Sequence, residues 1–590
     1  MSVLIFLIVS YVLLSISLFL LFKKTEVDPI KGLIPGVNFI EWCKLIGRKP
    51  IYALWLLFPI VNIFIFCGMA VDLVRSFRKY KFIHTAIAVL YAPAIFASIG
   101  LSETDQYDAP TLPKEKAYAA QLEEAKKNND NLAYNRLMKD NPYKKSAPRE
   151  WVESIFFAVF AAAFIRMFLI EAYVIPTPSM EGSQLVGDFL FVSKAHYGIR
   201  TPMTIAMIPL LHNVIPGTGS ESYLKKPQLP YYRLPAIESI DRLEPIVFNW
   251  PVGDSIFLTS SRSFSYDQVK QLAESGRIRN IPELASMWQK QDYRVRPIDK
   301  KDHYIKRCVA IGGDSLQIIN SQVYINGEKQ HNPSQMQLQT FILPPKGVLR
   351  SDIEKMPFFD RENKIGGSDG KEIVAFLTEN EREQLKAKYP DAKIFPYLNV
   401  YFNKPAFEAT GLTEKLGLAD QVFPTGTQAI THLKLSPEQF EAIQKLPSYK
   451  NFNIGNPFRD LFPNNKMSEE WTVDNFGPIY VPKEGDEVII TPQNIGIYKR
   501  IIGVYENNDL KIENGKIFVN GEQTTKYTFK QDYFWAMGDN RHNSEDSRVW
   551  GFVPEDHIVG KPLFIWFSLR NGRLFDGIRF NRIFKSADER

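Results

Sequence analysis

The sequence predicts N-terminal transmembrane helices followed by a mainly antiparallel β domain that carries an α/β insertion. Three observations predict this fold class. Residues 1–170 contain four apolar runs of about the length that spans a bilayer. Beyond Pro176 the pattern changes to short runs of alternating and β-branched residues bounded by Gly, Pro and Asn. Asn326-Gly327 and Asn520-Gly521 follow two of these runs, which is typical of tight β-hairpins.

The composition excludes several classes of protein. The 590-residue chain is 45% apolar and has a net charge of +6, with the basic excess spread along its length. It therefore predicts no nucleic-acid partner. Cys43, Cys67 and Cys308 lie far apart, which does not indicate a disulfide framework. The sequence has no CxxC or HExxH motif, and we expect no metal and no other cofactor.

Each apolar run is predicted to be a membrane-spanning helix: residues 1–22, 51–74, 84–101 and 151–170. Residues 1–22 also have the length of a cleavable signal peptide. They lack a charged start and a small-residue cleavage site, however, which favours a permanent span. Arg166 lies in the outer part of the fourth run and is interpreted as an arginine that snorkels to the interface.

Basic residues determine the predicted orientation. The loop after the first span is predicted to be cytoplasmic because it is rich in basic residues: Lys23, Lys24, Lys44, Arg48 and Lys49. Four crossings then place everything beyond Ser179 outside. The loop between the second and third spans would also lie outside, although it is basic: Arg75, Arg78, Lys79 and Lys81. Either this loop is an exception, or residues 58–60 form a re-entrant turn and the number of spans differs.

Changes in pattern divide the chain into six segments. The first three are a membrane region with about three spans (1–102), a charged cytoplasmic linker with one short helix near residues 115–127 (103–150), and a transmembrane helix that leads to the candidate site (151–175). The last three are the first part of the β domain (176–329), an accessory insertion (330–477), and the second part of the β domain (478–590).

The two parts of the β domain contain an internal repeat. Residues 251–258, 304–307 and 323–328 are echoed by residues 482–490, 497–503 and 518–522. The same strand–strand–hairpin unit is therefore predicted to occur twice. In the insertion, Thr378 with Glu381 and Ser436 with Gln439 are capping boxes that predict two helix starts. The insertion is interpreted as a small α/β region, and its sequence indicates no chemistry.

Three separated segments carry the candidate chemistry. Ser179 stands in Ile-Pro-Thr-Pro-Ser-Met (175–180), where two prolines stiffen the chain. A serine hydroxyl is a weak nucleophile and needs a base beside it. Lys306 is the candidate base, because burial among apolar neighbours lowers the pKa of a lysine and leaves it neutral. Lys499 is a rival base, since it occupies the matching place in the second repeat.

The third segment is residues 537–551, which contain a polar Gly538-Asp539-Asn540 turn. Asp546 and Arg548 are expected either to form an ion pair beside the site or to be an ordinary surface bridge. His542 and His557 lie in or near this segment and raise the alternative of a Ser-His-Asp triad. No carboxylate spacing supports that alternative.

In order and wording, these three segments resemble those of the bacterial type I signal peptidases. The resemblance covers the fourth apolar run and the three segments. It implies a signal-peptidase-like β fold and a Ser/Lys dyad of Ser179 and Lys306. One departure is Ala310-Ile311-Gly312-Gly313-Asp314, where the family more often has Gly-Leu-Pro-Gly-Asp.

The resemblance also implies roles for neighbouring residues. The Ser179 N–H and the Thr177 hydroxyl would form the oxyanion hole, and Ser544 would orient Lys306. Asp539, Asp546 and Arg548 would have a structural role beside the reacting residues. The resemblance also implies that the substrate is cleaved after small residues of the Ala-x-Ala type.

The implied function is removal of signal peptides from secretory preproteins at a bacterial plasma (inner) membrane. The protein would be multi-pass, with its catalytic domain on the extracytoplasmic (periplasmic) side. The expected partners are preproteins, the lipid bilayer and the secretion machinery. Two alternatives stay open: a self-cleaving regulatory Ser/Lys protease and a catalytically silent membrane scaffold.

Overall fold

The structure is a computed structural model of the whole chain. It describes residues 2–57, 61–144 and 147–588, apart from residues 205, 209, 212, 219, 347, 349, 356–371, 424–428, 455–460 and 464–467. The chain divides into two compact units, Met1–Phe160 and Ala161–Arg590.

The first unit is helical. Its helices are α1 (Ser2–Phe22), α2 (Val37–Ile46), α3 (Val61–Ser76), α4 (Phe82–Leu101), α5 (Thr111–Lys127), α6 (Asn131–Lys139) and the first part of α7 (Ala147–Phe168). Helices α1 to α4 pack around the buried Trp42, whose ring lies 5.1 Å from that of Phe96. Among the helices in the described part of the chain, α4 is the one long and apolar enough to cross a membrane, and Ile8–Phe22 is a shorter apolar helix.

Two of the predicted spans differ from the structure. Residues 51–74 do not form one helix, because a 3-10 helix (Pro50–Leu57) precedes α3. The re-entrant turn considered at residues 58–60 lies outside the described residues. Helix α4 is interrupted at Tyr91, whose φ of −157° and ψ of 82° are not helical, two residues before Pro93. Proline removes a helical hydrogen bond and is a common cause of such kinks.

The basic loop after α3 is bound to the segment after α4. Arg78 pairs with Asp108 and Lys79 with Asp105, each at 2.7 Å. These ion pairs join the two segments that flank α4. The predicted crossing by residues 84–101, with this loop outside and the following linker inside, stays a prediction, and among the described helices α4 has the length and composition to cross a membrane. Two of the basic residues that disagreed with the orientation rule, Arg78 and Lys79, thus have carboxylate partners in the segment after α4.

Residues 103–150 contain more structure than the predicted linker. The helix expected near residues 115–127 is present as α5, and α6 follows it. Asp130 caps α6 by accepting a hydrogen bond from the Ala133 N–H, and Tyr118 of α5 donates to the Leu137 carbonyl at 2.8 Å. The sequence analysis missed α6, and these contacts make the two helices a packed pair.

The second unit is the predicted β domain, and its mainly antiparallel character is confirmed. Its strands are β1 (Ile170–Val174), β2 (Asp188–Ser193), β3 (Pro245–Asn249), β4 (Ser255–Leu258), β5 (Ser263–Ser265), β6 (Arg294–Val295), β7 (His303–Ala310), β8 (Ser315–Ile319), β9 (Gln322–Ile325), β10 (Glu328–Lys329), β11 (Leu338–Leu343), β12 (Ile373–Leu377), β13 (Lys393–Pro396), β14 (Leu398–Asn403), β15 (Val422–Phe423), β16 (Ile430–Leu435), β17 (Phe476–Tyr480), β18 (Glu487–Ile489), β19 (Leu510–Glu513), β20 (Lys516–Val519), β21 (Glu522–Gln523), β22 (Lys526–Thr528), β23 (Tyr533–Met537), β24 (Val553–Pro554) and β25 (Ile558–Ser568).

The helices of this unit are short. They are the end of α7, then α8 (Tyr266–Glu274), α9 (Pro282–Lys290), α10 (Arg350–Glu354), α11 (Glu379–Lys388), α12 (Lys404–Glu408), α13 (Leu412–Lys415), α14 (Pro437–Gln444), α15 (Tyr449–Phe452), α16 (Ile495–Arg500) and α17 (Ser547–Trp550).

A seven-stranded antiparallel sheet with the order β1-β2-β25-β3-β7-β23-β24 forms the centre of this unit. Strand β7 lies between β3 and β23, and its buried residues, such as Cys308, pack with Ile246, Phe248 and Ala536 of those two strands. Because β1 is an edge strand of this sheet, the segment that follows it emerges at the edge. That segment contains Ser179.

The internal repeat is confirmed for its hairpins. Strands β8-β9-β10 and β19-β20-β21 are two similar antiparallel meanders. Their second turns have positive φ at both central residues, 54° and 85° at Asn326-Gly327 and 54° and 88° at Asn520-Gly521. These are the conformations that tight hairpins require and that Asn and Gly adopt readily. The predicted repeat is wrong at residues 497–503, which lie in α16 and the π-helix that follows it, whereas residues 304–307 lie in β7.

The insertion contains strands and helices, as predicted. Two three-stranded sheets, β12-β11-β13 and β14-β16-β15, each have a strand that leads into a capped helix. Both predicted capping boxes are present, with Thr378 capping α11 and Ser436 capping α14. In each box the cap side chain and the third helical residue satisfy each other's backbone N–H, which explains why these helices begin there.

Candidate active site

The segment after β1 presents Ser179 in a short, fixed turn. Pro178–Met180 form a 3-10 turn, and Ser179 is 8% exposed. The Asn540 N–H donates to the Ser179 carbonyl at 3.1 Å, and the Asn540 side-chain amide donates to the Pro178 carbonyl at 3.3 Å. The polar turn predicted at residues 538–540 therefore holds the serine segment directly.

Lys306 lies beside Ser179. Its Nζ is 2.7 Å from the Ser179 Oγ and also donates to the Ile305 carbonyl at 3.0 Å. Strand β7 brings it there from the middle of the sheet, in register with Ile246 of β3. Lys306 is 3% exposed, and burial lowers its pKa from the ordinary lysine value to about 8. Nearby carboxylates, chiefly Asp546, oppose this shift. The pair has the contact and the low-dielectric setting that proton transfer from serine to lysine requires.

Thr177 is the third polar side chain at the serine. Its Oγ1 lies 3.5 Å from the Ser179 Oγ, and the residue is exposed. A hydroxyl at the open side of the nucleophile can donate to an oxygen that develops charge during attack. The oxyanion role predicted for Thr177 and the Ser179 N–H is compatible with this placement and stays a prediction.

A buried ion pair lies behind the dyad. The Arg307 Nε and one terminal nitrogen donate to the two Asp539 carboxylate oxygens, each at 2.7 Å, and both side chains are fully buried. The Ser183 hydroxyl also donates to Asp539, at 2.5 Å. Successive strand residues point to opposite faces of a sheet. The side chains of Lys306 and Arg307 therefore lie on opposite sides of β7. The sequence analysis missed Arg307 and Ser183, although the adjacency of Arg307 to Lys306 in a strand was a usable signal.

Asp546 and Arg548 form the predicted ion pair. Arg548 donates to both Asp546 oxygens, at 2.9 and 2.8 Å, and the side chains are 0–2% exposed. The alternative of an ordinary surface bridge is therefore wrong. Burial alone would raise the pKa of Asp546, but Arg548 and further hydrogen bonds lower it to about 2. One of those bonds comes from the Gly538 N–H at 3.1 Å, which fixes the start of the polar turn.

Ser544 lies against the serine segment. A methyl group added at Gly538 would lie 2.3 Å from the Ser544 Oγ and 2.5 Å from the Ser179 carbonyl oxygen, so glycine at 538 permits this close approach. Ser544 is buried, 3% exposed. Its predicted role in orienting Lys306 fits this location and stays a prediction.

The rival candidates are placed elsewhere. Lys499 is exposed on α16. His542 contacts Asp474 at 2.5 Å and the Gln339 N–H at 2.9 Å, and His557 contacts Asp556 at 2.5 Å and Lys301 at 2.9 Å. Neither histidine is joined to Ser179 by these contacts, whereas Lys306 is.

Arg166, interpreted as a snorkelling side chain, donates to Glu171 at 2.8 Å and to the Leu210 carbonyl at 2.7 Å. Glu171 is the second residue of β1 and also pairs with Lys194 at 2.8 Å. Burial alone would raise the pKa of Glu171, but these cations lower it well below its usual range. Arg166 therefore ties the end of α7 to the strand that leads to Ser179.

A serine hydroxyl in contact with a buried lysine amine, on an antiparallel β domain, is the arrangement that a serine hydrolase of the Ser/Lys type requires. Residues 148–365 and 522–567 match the family model described as signal peptidase, peptidase S26. Over these residues the chain is similar to the signal peptidases, in agreement with the resemblance of the three segments. Residues 30–110 match a family of unknown function (DUF5684).

Several similar proteins are named signal peptidase I. Signal peptidase I of Buchnera aphidicola subsp. Baizongia pistaciae is 34% identical over 154 residues, 26% of this chain and 45% of the relative. That of Haemophilus influenzae is 46% identical over 66 residues, 11% of this chain and 19% of the relative. That of Leptolyngbya laminosa is 26% identical over 146 residues, 20% of this chain and 70% of the relative. The chain thus matches less than half the length of the first two.

Proposed function

We propose that this chain is a membrane-anchored serine endopeptidase that removes signal peptides from exported preproteins. The observation that carries the proposal is the 2.7 Å contact between the Ser179 Oγ and the Lys306 Nζ in a buried setting. A catalytically silent scaffold has no need of a buried amine beside a serine. Burying an ammonium group is costly, so an enzyme that uses the amine as a base gains from the same burial.

The proposed mechanism needs only residues of this chain. Neutral Lys306 takes the proton of the Ser179 hydroxyl as the oxygen attacks the scissile carbonyl. The Ser179 N–H and the Thr177 hydroxyl bind the oxyanion. The leaving amine departs with a proton from Lys306, and an acyl-enzyme remains. Lys306 then takes a proton from water, which attacks the ester, and returns that proton to the Ser179 oxygen as it leaves. This step releases the new carboxyl end of the signal peptide and restores the free serine and the neutral lysine.

The substrate would bind in an extended conformation beside β1. This strand is at the edge of the seven-stranded sheet and pairs with β2 on its other side. Its free edge lies a few residues from Ser179, so a preprotein segment can add to it as a further strand. Cleavage after small residues of the Ala-x-Ala type follows from the resemblance, because shallow pockets favour short side chains.

We further propose that the apolar helices of the first unit and α7 anchor the chain in the bacterial plasma membrane, with the catalytic unit on the extracytoplasmic side. The support is the composition of α4 and of Ile8–Phe22, together with the basic residues that follow α1. An anchored enzyme can cleave a signal peptide that is still in the bilayer. The secretion machinery would deliver the preprotein to the membrane.

Cleavage of a preprotein with an Ala-x-Ala site tests the substrate class. The purified full-length protein is expected to cut after the second Ala, with the new N-terminus read by mass spectrometry. Replacing that Ala by Leu in the substrate should lower kcat/KM by about 100-fold or more, because a shallow pocket excludes it. Equal cleavage of both substrates would contradict the proposed specificity.

The proposed base predicts a dependence of activity on pH. A protonated Lys306 cannot accept a proton, so kcat/KM should rise with pH and level off above an inflection near 8, the pKa to which burial lowers this lysine. Profiles measured from pH 6 to 10 on a peptide without groups that titrate in this range would show it. Lys301 is a matched control, because burial lowers its pKa to about 8 as well and its amine bonds to His557. Lys301→Met should retain the inflection, and a flat wild-type profile would contradict the assignment.

A further inference from the structure

We propose that His542 is a positioning residue that ties both ends of the accessory insertion to the turn that holds Ser179. This inference rests on the proposed function for its catalytic readout. It gives the insertion a role for which its own sequence showed no sign.

His542 has one defined protonation state in its contacts. Its Nδ1 accepts a hydrogen bond from the Gln339 backbone N–H at 2.9 Å, so Nδ1 carries no proton. The proton is therefore on Nε2, which donates to the Asp474 carboxylate at 2.5 Å. The two side chains are 2–3% exposed. A neutral ring is fixed here by a backbone donor on one side and a carboxylate on the other.

Gln339 and Asp474 lie near the two ends of the insertion. Gln339 is the second residue of β11, the first strand of the insertion, and Asp474 precedes β17, where the chain returns to the β domain. Asp474 is also held by the Ser321 hydroxyl at 2.6 Å. His542 therefore closes the insertion at its base, with one ring nitrogen on each end.

The same region of the insertion reaches the serine segment by backbone contacts. The Gln337 N–H donates to the Asp539 carbonyl at 2.9 Å, and the Arg541 N–H donates to the Gln337 carbonyl at 3.0 Å. Asn540, between them, donates to the Ser179 carbonyl. On the other side, Gly182 packs so closely on the Gln335 carbonyl that a methyl group there would lie 2.3 Å from its oxygen. Displacing residues 335–339 would therefore move both the turn and the serine segment.

Kinetics of His542 variants separate positioning from simple stabilisation. At a temperature where each protein is folded, His542→Ala should lower kcat by about 10-fold or more with KM within about 2-fold, because an ångström of displacement between nucleophile and base is costly. His542→Asn can still accept from the Gln339 N–H and should recover part of kcat.

His432→Ala is the matched control. His432 lies inside the insertion, stacked on Tyr401 at 4.7 Å and bonded to Asn399 at 3.0 Å, and these partners are also in the insertion. It should keep kcat within about 2-fold. A folded His542→Ala protein with wild-type kcat, or an equal loss in His432→Ala, overturns the proposal. Ser179→Ala in parallel shows whether the cleavage itself is the proposed one.

Hydrogen exchange supplies a readout that does not depend on turnover. In His542→Ala, amide exchange at residues 175–183 and 538–541 should rise by about 10-fold or more relative to wild type, and in His432→Ala it should not. Unchanged exchange in His542→Ala overturns the proposal even if the enzyme acts on another substrate.

Discussion

Replacing Lys306 with methionine is expected to lower kcat for preprotein cleavage by about 10³- to 10⁴-fold. The amine at 2.7 Å is the base in contact with the Ser179 hydroxyl, and methionine fills the buried volume without a proton acceptor. KM should change little, since the amine contacts the nucleophile and not a distant part of the substrate. The fold should survive, because an apolar side chain of similar length suits a site that is 3% exposed. Steady-state kinetics and thermal unfolding measure the two effects.

Lys499→Met is the control, because this lysine occupies the matching place in the second repeat, is also followed by an arginine, and lies exposed on α16. It should keep wild-type kcat. If Lys499→Met were inactive and a folded Lys306→Met active, the base would have been assigned to the wrong repeat.

Asp539→Asn is expected to destabilise the catalytic unit by about 3–5 kcal/mol. The change keeps the shape of the side chain but leaves the fully buried Arg307 guanidinium without its counter-charge, and breaking a buried pair in this way costs several kcal/mol. The loss should appear as a lower urea midpoint of unfolding, measured by tryptophan fluorescence.

Asp420→Asn provides the same chemical change in an exposed pair. Asp420 pairs with Lys393 at 3.3 Å, with side chains 57% and 51% exposed, and its replacement should leave the midpoint nearly unchanged. Equal midpoints for Asp539→Asn and wild type would show that the buried pair does not hold the sheet and the turn together.

Local pattern predicted much of the β domain. Strands β8, β9, β19 and β20 were expected from alternation, and the two Asn-Gly hairpins from the positive φ that such turns require. The helices α11 and α14 begin where their capping boxes predicted. These features depend on neighbours within a few residues, which is why the sequence contains enough information for them.

Features that depend on distant contacts were predicted less well. Tyr498-Lys499-Arg500 is similar in sequence to residues 304–307, which contain the candidate base. It nevertheless forms a helix that continues into a π-helix (Ile501–Tyr505). Tertiary context therefore overrides its strand propensity. The pairing of Arg307 with Asp539 joins residues 232 apart in sequence, and no local pattern reports it.

The loops of the membrane region also depend on distant contacts. Hydropathy located the apolar runs. It could not show that Arg78 and Lys79 pair with Asp108 and Asp105, which lie beyond the next helix. The position of Ser179 was predictable because a specific set of three segments resembles one family, and composition alone did not distinguish it.

The measurement that tests the central claim most directly is cleavage of one Ala-x-Ala preprotein by the wild-type protein and by Ser179→Ala, at equal concentrations of folded enzyme. We predict that the wild type releases the mature protein with a single new N-terminus and that Ser179→Ala releases none in the same time. Cleavage at the same bond by folded Ser179→Ala, or no cleavage by the wild type, would contradict the assignment of Ser179 as the nucleophile of a signal peptidase.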